Sequence, residues 1–388
     1  MSRTTVTTDP SALSPDTYQG WRQEQLFSRA ETFFSALLAA IGKAQYTIDL
    51  ETYIFDYDRI GRQVVESLIA AHHRGVRVRV LMDAVGSYQS STEAANKLEQ
   101  AGISVKLFHP LPWQIHHYHR AATRQGRMID QFLYFFSRIN QRDHRKLCII
   151  DKSQLWTGSL NITQKHLQKS NGGEGWRDYG VRTTGVLVEE LENHFDALWH
   201  RRKIIRKEGL FRHYWHNYDL WSRRRKNQLL LRQIREATSR IWIVSAYFAP
   251  SASVIRALKQ ARARQVDIKI LVPSHSDIGI FPFLTATYYT DLIQAGIDIY
   301  EYQPGVLHAK ALFIDNNCLI GSTNFNHRSF LHDLELDISL NKTESKQELE
   351  RFFKADLQAS KKVSMEKPKY GLYGRLVGML ARVLRYWM

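Results

Sequence analysis

The sequence predicts an α/β fold built twice: two duplicated domains related by a pseudo-twofold, with a site where they meet. Two observations carry this. One short motif occurs twice, as His144-Arg145-Lys146-Leu147-Cys148-Ile149-Ile150-Asp151 and His308-Ala309-Lys310-Ala311-Leu312-Phe313-Ile314-Asp315, both with the spacing H-x-K-x-x-x-x-D. Each copy runs on into a G-S-x-N tail, Gly158-Ser159-Leu160-Asn161 and Gly321-Ser322-Thr323-Asn324. A lone match of three fixed residues arises at on the order of one in 8,000 start positions, whereas two with matching tails are a strong signal. The second observation is that the surrounding strand-helix-strand pattern recurs, with Tyr53 to Tyr247 and Gly102 to Gly296 both offset by 194 residues. Self-similarity at a fixed offset marks a duplicated unit.

In chain order, residues 1–24 are rich in Ser, Thr, Asp and Pro and read as a flexible N-terminus. The first domain is expected over 25–200. Phe33, Phe34, Leu37, Leu38 and Ile41 fall at helical spacing before Gly42, and a strand follows over 46–55. A helix over 61–73 stops at Gly75 and leads into a strand over 76–83. The offset then falls from 194 at Pro110 and Pro304 to 164 at His144 and His308, so the first half carries an insertion over 111–143. Its aromatic and basic residues suit either a packed helix or an amphipathic lid, and His116, His117 and His119 have no companion cysteine or carboxylate that would favour a metal. A helix over 188–200 closes the first half.

Residues 201–226 are dense in Arg and Lys interleaved with Phe211, Tyr214, Trp215, Tyr218 and Trp221, and are expected to be a basic linker. The second domain is expected over 227–365, with a strand at 241–247, a helix at 253–263 and a strand at 266–272. Residues 366–388 read as an amphipathic C-terminal helix, for the membrane interface or for the protein's own core.

Bulk composition narrows the partner. With 54 Lys and Arg against 38 Asp and Glu, the chain carries +16 and suits an anionic partner, nucleic acid or lipid surface alike. Two cysteines inside apolar runs argue for buried thiols rather than a disulfide framework. No run of about 18 apolar residues suggests a spanning helix, so any membrane contact is expected to be peripheral.

The paired motif points to phosphodiester chemistry. Attack at phosphorus needs a nucleophile on one side and an acid for the departing oxygen on the other, and a duplicated fold supplies His144 and His308 in opposition. Lys146 and Lys310 would neutralise the non-bridging oxygens, with Ser159, Asn161, Ser322 and Asn324 donating hydrogen bonds. Asp151 and Asp315 enter the catalytic set through the motif, although at the ends of apolar strands they equally suit turns or salt bridges. Alignment of the repeats pairs Asp178 with Glu335, each fit to hold one ring nitrogen of a histidine. The cations are in the protein, so no metal or cofactor is expected.

On these residues the chain resembles the phospholipase D superfamily over residues 30–345. Glu51-Thr52-Tyr53-Ile54-Phe55, Arg74-Gly75-Val76, Val80-Leu81-Met82-Asp83 and Ala246-Tyr247-Phe248 are similar to bacterial cardiolipin synthases, most to the B type that lacks N-terminal membrane spans. The resemblance implies two phospholipase D-like domains, each a mixed β-sheet flanked by helices, with the active site at their interface and a phosphohistidine intermediate. It implies a phosphatidyltransferase that uses phosphatidylglycerol and makes cardiolipin, peripheral on the cytoplasmic side of a bacterial cell membrane and bound to its anionic surface. A nuclease or hydrolytic phospholipase D of the same superfamily is the alternative. The aromatic insertion and apolar tail weigh against nucleic acid as partner. The chain departs from the internal pattern at His166, where the second half has Ser329.

Overall fold

The alternation in Leu147–Ile150 and Ala311–Ile314 fixes how the halves stack. Leu147 and Ile149, like Ala311 and Phe313, face a core to which both halves contribute. Cys148 and Ile150, like Leu312 and Ile314, face the outer helices of their own half. Period-two alternation with both faces apolar means a sheet covered on both sides. The computed structural model describes residues 20–87, 91–110, 120–121, 141–204, 208–364 and 372–384.

The first half runs β1 (Gln23–Phe27), α1 (Ala30–Lys43), β2 (Thr47–Thr52), α2 (Arg59–His73), β3 (Arg77–Asp83), α3 (Ser91–Gln100) and β4 (Ser104–Phe108). It continues through β5 (Leu147–Ile150), β6 (Gln154–Gly158), β7 (Gly180–Thr184) and α4 (Leu187–Trp199). The second half runs β8 (Tyr214–His216), α5 (Leu220–Glu236), β9 (Arg240–Val244), α6 (Ala252–Ala263), β10 (Asp267–Pro273), α7 (Phe281–Ala286), α8 (Tyr289–Gln294) and β11 (Asp298–Tyr302). It ends with β12 (Ala311–Ile314), β13 (Asn317–Gly321), α9 (His327–Leu331), β14 (Leu336–Ser339), α10 (Thr343–Gln358), β15 (Ser360–Lys362) and α11 (Leu372–Leu384).

The sheets have the orders β1-β7-β6-β5-β2-β3-β4 and β15-β11-β10-β9-β12-β13-β14-β8. Each mixes a parallel run with antiparallel strands, and β1 and β8 are matching edge strands. Between the sheets lie α4 and α10, which send Leu191, Phe195, Leu349 and Phe353 into the shared core. Full burial of such side chains stabilises by about 1.5–3 kcal/mol each, and here that energy ties one half to the other.

Two expectations need correction. Residues 201–226 are not merely a connection: β8 pairs with β14, and α5 runs through the boundary placed at 226. Phe211, Tyr214 and Trp215 are core residues, and Lys226 is buried with its Nζ on Thr323 Oγ1 and Asp337 Oδ2. A basic composition concealed an apolar face because the Arg and Lys alternate with the residues that pack. The repeat offset is 193 at this strand, since Ile48 and Ile241 hold the same register against Ile150 and Ile314. Tyr247 therefore matches Ile54, not Tyr53; pairing identical letters slipped the alignment by one residue, which in a strand changes the face. Of the insertion, 111–119 and 122–140 lie outside the described residues, and with them the lid reading and His116, His117 and His119. Cys148 and Cys318 are buried free thiols, as expected.

Candidate active site at the junction of the two halves

Both motif histidines sit just before a central strand, and the backbone around them crosses to the other half. His144 N–H donates to Leu334 O at 3.0 Å, and His308 N–H to Arg177 O at 2.8 Å. Leu334 N–H returns to Arg142 O and Arg177 N–H to Val306 O, both at 2.8 Å. The residues following Leu334 and Arg177 are Glu335 and Asp178. The crossing therefore delivers each carboxylate to the histidine of the opposite half.

His144 Nδ1 lies 3.1 Å from both oxygens of Glu335, and His308 Nδ1 lies 2.7 Å from Asp178 Oδ1. A carboxylate on Nδ1 fixes the tautomer and leaves Nε2 for the substrate. The serines expected to bind phosphate do something else. Ser159 Oγ donates to Asp178 Oδ1 at 2.6 Å and Ser322 Oγ donates to Glu335 Oε2, while each oxygen accepts a backbone N–H, from Tyr179 and Leu336. Their protons are committed to holding the carboxylates. The preceding glycines are required by close approach: a Cβ on Gly158 would stand 2.3 Å from Tyr179 O, and one on Gly321 2.2 Å from Leu336 O. The G-S pair is thus the place where one strand presses against the carboxylate-bearing strand.

The asparagines fit the expectation better. Asn161 Oδ1 accepts Ile54 N–H and Asn324 Oδ1 accepts Tyr247 N–H, both at 3.3 Å. A backbone N–H can only donate, so the opposite corner of each amide is Nδ2, a donor left for a ligand oxygen.

His166 was singled out only as a mismatch with Ser329, and the structure gives both one task. Asn161 N–H donates to His166 Nε2 at 3.0 Å while His166 Nδ1 lies 2.6 Å from Asp178 Oδ2. In the other half, Asn324 N–H donates to Ser329 Oγ at 3.3 Å and Ser329 Oγ donates to Glu335 Oε1 at 2.6 Å. A short carboxylate with a long bridge in one half matches a long carboxylate with a short bridge in the other. His166, Asp178 and His308 also have the spacing of a metal cluster, with one ligand atom each within 4.8 Å. Both histidines meet the carboxylate at hydrogen-bond distance through Nδ1.

Electrostatically the site is a desolvated pair of cations. Lys146 and Lys310 are 3% and 2% exposed, and their Nζ atoms donate to His144 O and His308 O at 2.6 and 2.5 Å. Burial pushes Lys146 down to about 8 and Lys310 to about 7 against the pull of nearby carboxylates. Burial and the lysine ammonium groups push His308 to about 4 and His144 well below its usual range. Burial would raise Asp178, but His166 and His308 outweigh it and hold that carboxyl ionised, whereas burial lifts Glu335 to about 7 despite Lys226 and Lys146. An entering phosphodiester anion supplies the missing negative charge and favours the protonated forms of Lys146, Lys310 and His308, while His144, held well below its usual range, keeps Nε2 free to attack.

Asp151 and Asp315 stand apart from this cluster, and their place in the catalytic set is not what the geometry gives. Asp151 accepts N–H from Gln45, Tyr46 and Thr47 at 3.0, 2.7 and 2.9 Å; Asp315 accepts from Thr238, Ser239 and Arg240 at 3.0, 2.8 and 3.1 Å. Each sits at positive φ, 49° and 50°, at the far end of its motif strand. They are turn residues that fix where β2 and β9 begin. Two aromatic residues outside the paired motif also line the site: Tyr53, whose ring is 5.0 Å from His144, and Trp176, 5.4 Å from both His166 and His308. The pairing of β2 with β5 brings Tyr53 to His144 within the first half, and the crossing of the halves brings Trp176 to His308.

A family model described as cardiolipin synthase, PLD-like domain, matches residues 37–199 and 230–357. Cardiolipin synthase 2 of Bacillus anthracis is 29% identical over 93% of this chain and 70% of its own length. Probable cardiolipin synthase YwiE of Bacillus subtilis is 27% identical over 88% of this chain and 67% of its own. The crystal structure of phosphatidylserine synthase from Haemophilus influenzae superposes with a TM-score of 0.67 at 12% identity, over 94% of this chain and 95% of that one. The last likeness is one of fold.

Proposed function

The chain belongs to the cardiolipin synthase, PLD-like domain family and is a phospholipase D-type phosphatidyltransferase, and from that premise we propose that it makes cardiolipin by transferring a phosphatidyl group from one phosphatidylglycerol to another. The observation that carries the mechanism is the pair of histidines, each with Nδ1 held by a carboxylate of the opposite half. In the first step His144 Nε2 attacks phosphorus, and the bond to the headgroup glycerol oxygen breaks. His308 Nε2–H protonates that oxygen, and glycerol departs from a phosphatidyl-histidine. In the second step the headgroup hydroxyl of another phosphatidylglycerol attacks phosphorus, His308 takes its proton, the P–N bond breaks and cardiolipin leaves. Lys146, Lys310 and the Nδ2 donors of Asn161 and Asn324 hold the non-bridging oxygens throughout.

The enzyme is placed peripherally on the cytoplasmic side of a bacterial membrane. The excess of cations and the two buried free thiols support this placement.

The test is incubation with phosphatidylglycerol vesicles and, separately, with single-stranded DNA. Cardiolipin from the first and intact DNA in the second are expected, and DNA cleavage without cardiolipin would replace this reading with the nuclease one. With labelled phosphatidylglycerol, His308→Ala should trap label on His144. Label trapped instead on His308 in His144→Ala would exchange the two roles. Cardiolipin synthesis by a folded double variant would remove the histidine mechanism altogether.

A further inference from the structure

The C-terminal helix α11 packs on α7 through its small residues. Gly374, Gly378 and Ala381 are buried at i, i+4 and i+7, and a Cβ on Gly378 would stand 2.6 Å from Phe283 O. With that face against α7, Leu376, Met379 and Leu380 point outward, 54%, 57% and 59% exposed. The helix cannot turn its large apolar residues inward without driving them into the α7 backbone. Its neighbour α7 also reaches the active site, since Phe281 packs 4.5 Å from the Tyr247 ring and Tyr247 N–H holds Asn324. The exposed apolar face is therefore one helix away from the catalytic wall.

Beside it a cleft of about 530 Å³ is lined by Arg256 and Lys259 of α6, Tyr288, Asp291 and Arg382 of α11. Lys259 pairs with Asp291 at 2.6 Å. Arg382 lies 4.8 Å over the Tyr288 ring, and among the described residues neither it nor Arg256 has a carboxylate partner. Tyr288 is 2% exposed, and among the described residues its buried hydroxyl has no hydrogen-bond partner. A buried hydroxyl without a partner is costly unless something fills the need.

We propose that this cleft is a second anionic-phospholipid site, separate from the catalytic one. It takes a headgroup phosphate on Arg256, Arg382 and the Tyr288 hydroxyl while Leu376, Met379 and Leu380 enter the acyl layer. The reading rests on a lipid substrate, as proposed above, and specifies how the enzyme sits on the bilayer that contains it. The combination favours a lipid over nucleic acid, because a sugar-phosphate backbone offers nothing to three exposed aliphatic side chains beside the cations. Docking through α11 would bring the α7 side of the site toward the surface and shorten the path of a lipid phosphodiester into a buried pocket.

The test uses the full chain in vesicle flotation, with liposomes of phosphatidylcholine alone or containing phosphatidylglycerol. Turnover of short-chain, monomeric phosphatidylglycerol is measured in parallel. Binding should require the anionic lipid and be unaffected by millimolar inorganic phosphate. Arg256→Gln and Arg382→Gln should each weaken it about fivefold, Tyr288→Phe should weaken it while raising the melting temperature of the free protein, and Leu376→Ser with Met379→Ser and Leu380→Ser should weaken it at least tenfold. All should keep the turnover of the monomeric lipid. Variants that bind vesicles like the wild type, release of vesicles by single-stranded DNA at equal charge, or displacement by free phosphate would each overturn the site. If the variants lose vesicle binding but the wild type makes no cardiolipin, the docking site stands and the proposed activity falls.

Discussion

The two halves solve one problem with exchanged side-chain lengths, so exchanging them back is a sharp perturbation. In Asp178→Glu the carboxylate extends by one C–C bond, about 1.5 Å, into a site where His166 Nδ1 already stands 2.6 Å away. Overpacking of this kind costs about 1–3 kcal/mol and displaces the group that orients His308. In His166→Ser the carboxylate loses a charge-assisted bond and Asn161 N–H loses its acceptor, for a combined cost of about 2–5 kcal/mol. A misplacement near 1 Å at the reacting ring costs on the order of 100-fold in rate, so each single variant should fall about that far in kcat. The double variant reproduces the Glu335–Ser329 arrangement, in which Ser329 bridges Asn324 N–H to the carboxylate. It should recover to within about tenfold of wild type, where independent losses would multiply to about 10,000-fold, a coupling energy of ~4 kcal/mol. Initial rates of cardiolipin formation and thermal melts of all four proteins make the measurement. A double variant whose losses simply multiply would refute the claim that His166 and Ser329 do the same work.

Replacing Lys310 with Met should abolish turnover and raise the melting temperature, because burial lowers this ammonium to about 7 from 10.5. The sign follows: the unfolded lysine binds its proton throughout this range, so the cost of burying the charge is full below about pH 7 and vanishes above about 10.5. The gain should be a few kcal/mol, bounded above by ~5, full below about pH 7 and declining to nothing by about pH 10.5. Asp315→Ala should lose about 2 kcal/mol of stability yet keep kcat of the folded enzyme within about threefold, as active-enzyme titration would reveal. Burial raises the Asp315 carboxyl, but Ser239, Thr238 and Arg240 outweigh it and hold it at about 2, so the stability difference should shrink as pH falls from about 4 toward 2. Arg145→Met should cost about 3–5 kcal/mol in chemical denaturation. It leaves Glu51 and Asp143, at 2.5 and 3.0 Å in the native pair, without their cation. Adding Glu51→Val and Asp143→Leu, to copy Val244 and Leu307 at the matching positions of the second half, should restore most of it.

By itself the sequence determined the duplicated α/β architecture, the two histidines and lysines, and the matching of Asp178 with Glu335. These rest on local spacing and composition, which survive as pattern along one chain. The tertiary structure decided which carboxylate serves which histidine. The bridges from His144 to Leu334 and from His308 to Arg177 connect residues more than a hundred positions apart, and no periodicity encodes that crossing. It also moved Ser159 and Ser322 from the phosphate to the carboxylates, because the direction of a hydroxyl depends on the strand packed against it. Asp151 and Asp315 left the site for a similar reason: the four residues of β5 and of β12 separate them from the lysines, roughly 13 Å of extended chain. Register corrected Tyr53 to Ile54 as the counterpart of Tyr247. A sequence carries the period of a strand, but only the hydrogen-bonded neighbour fixes its phase.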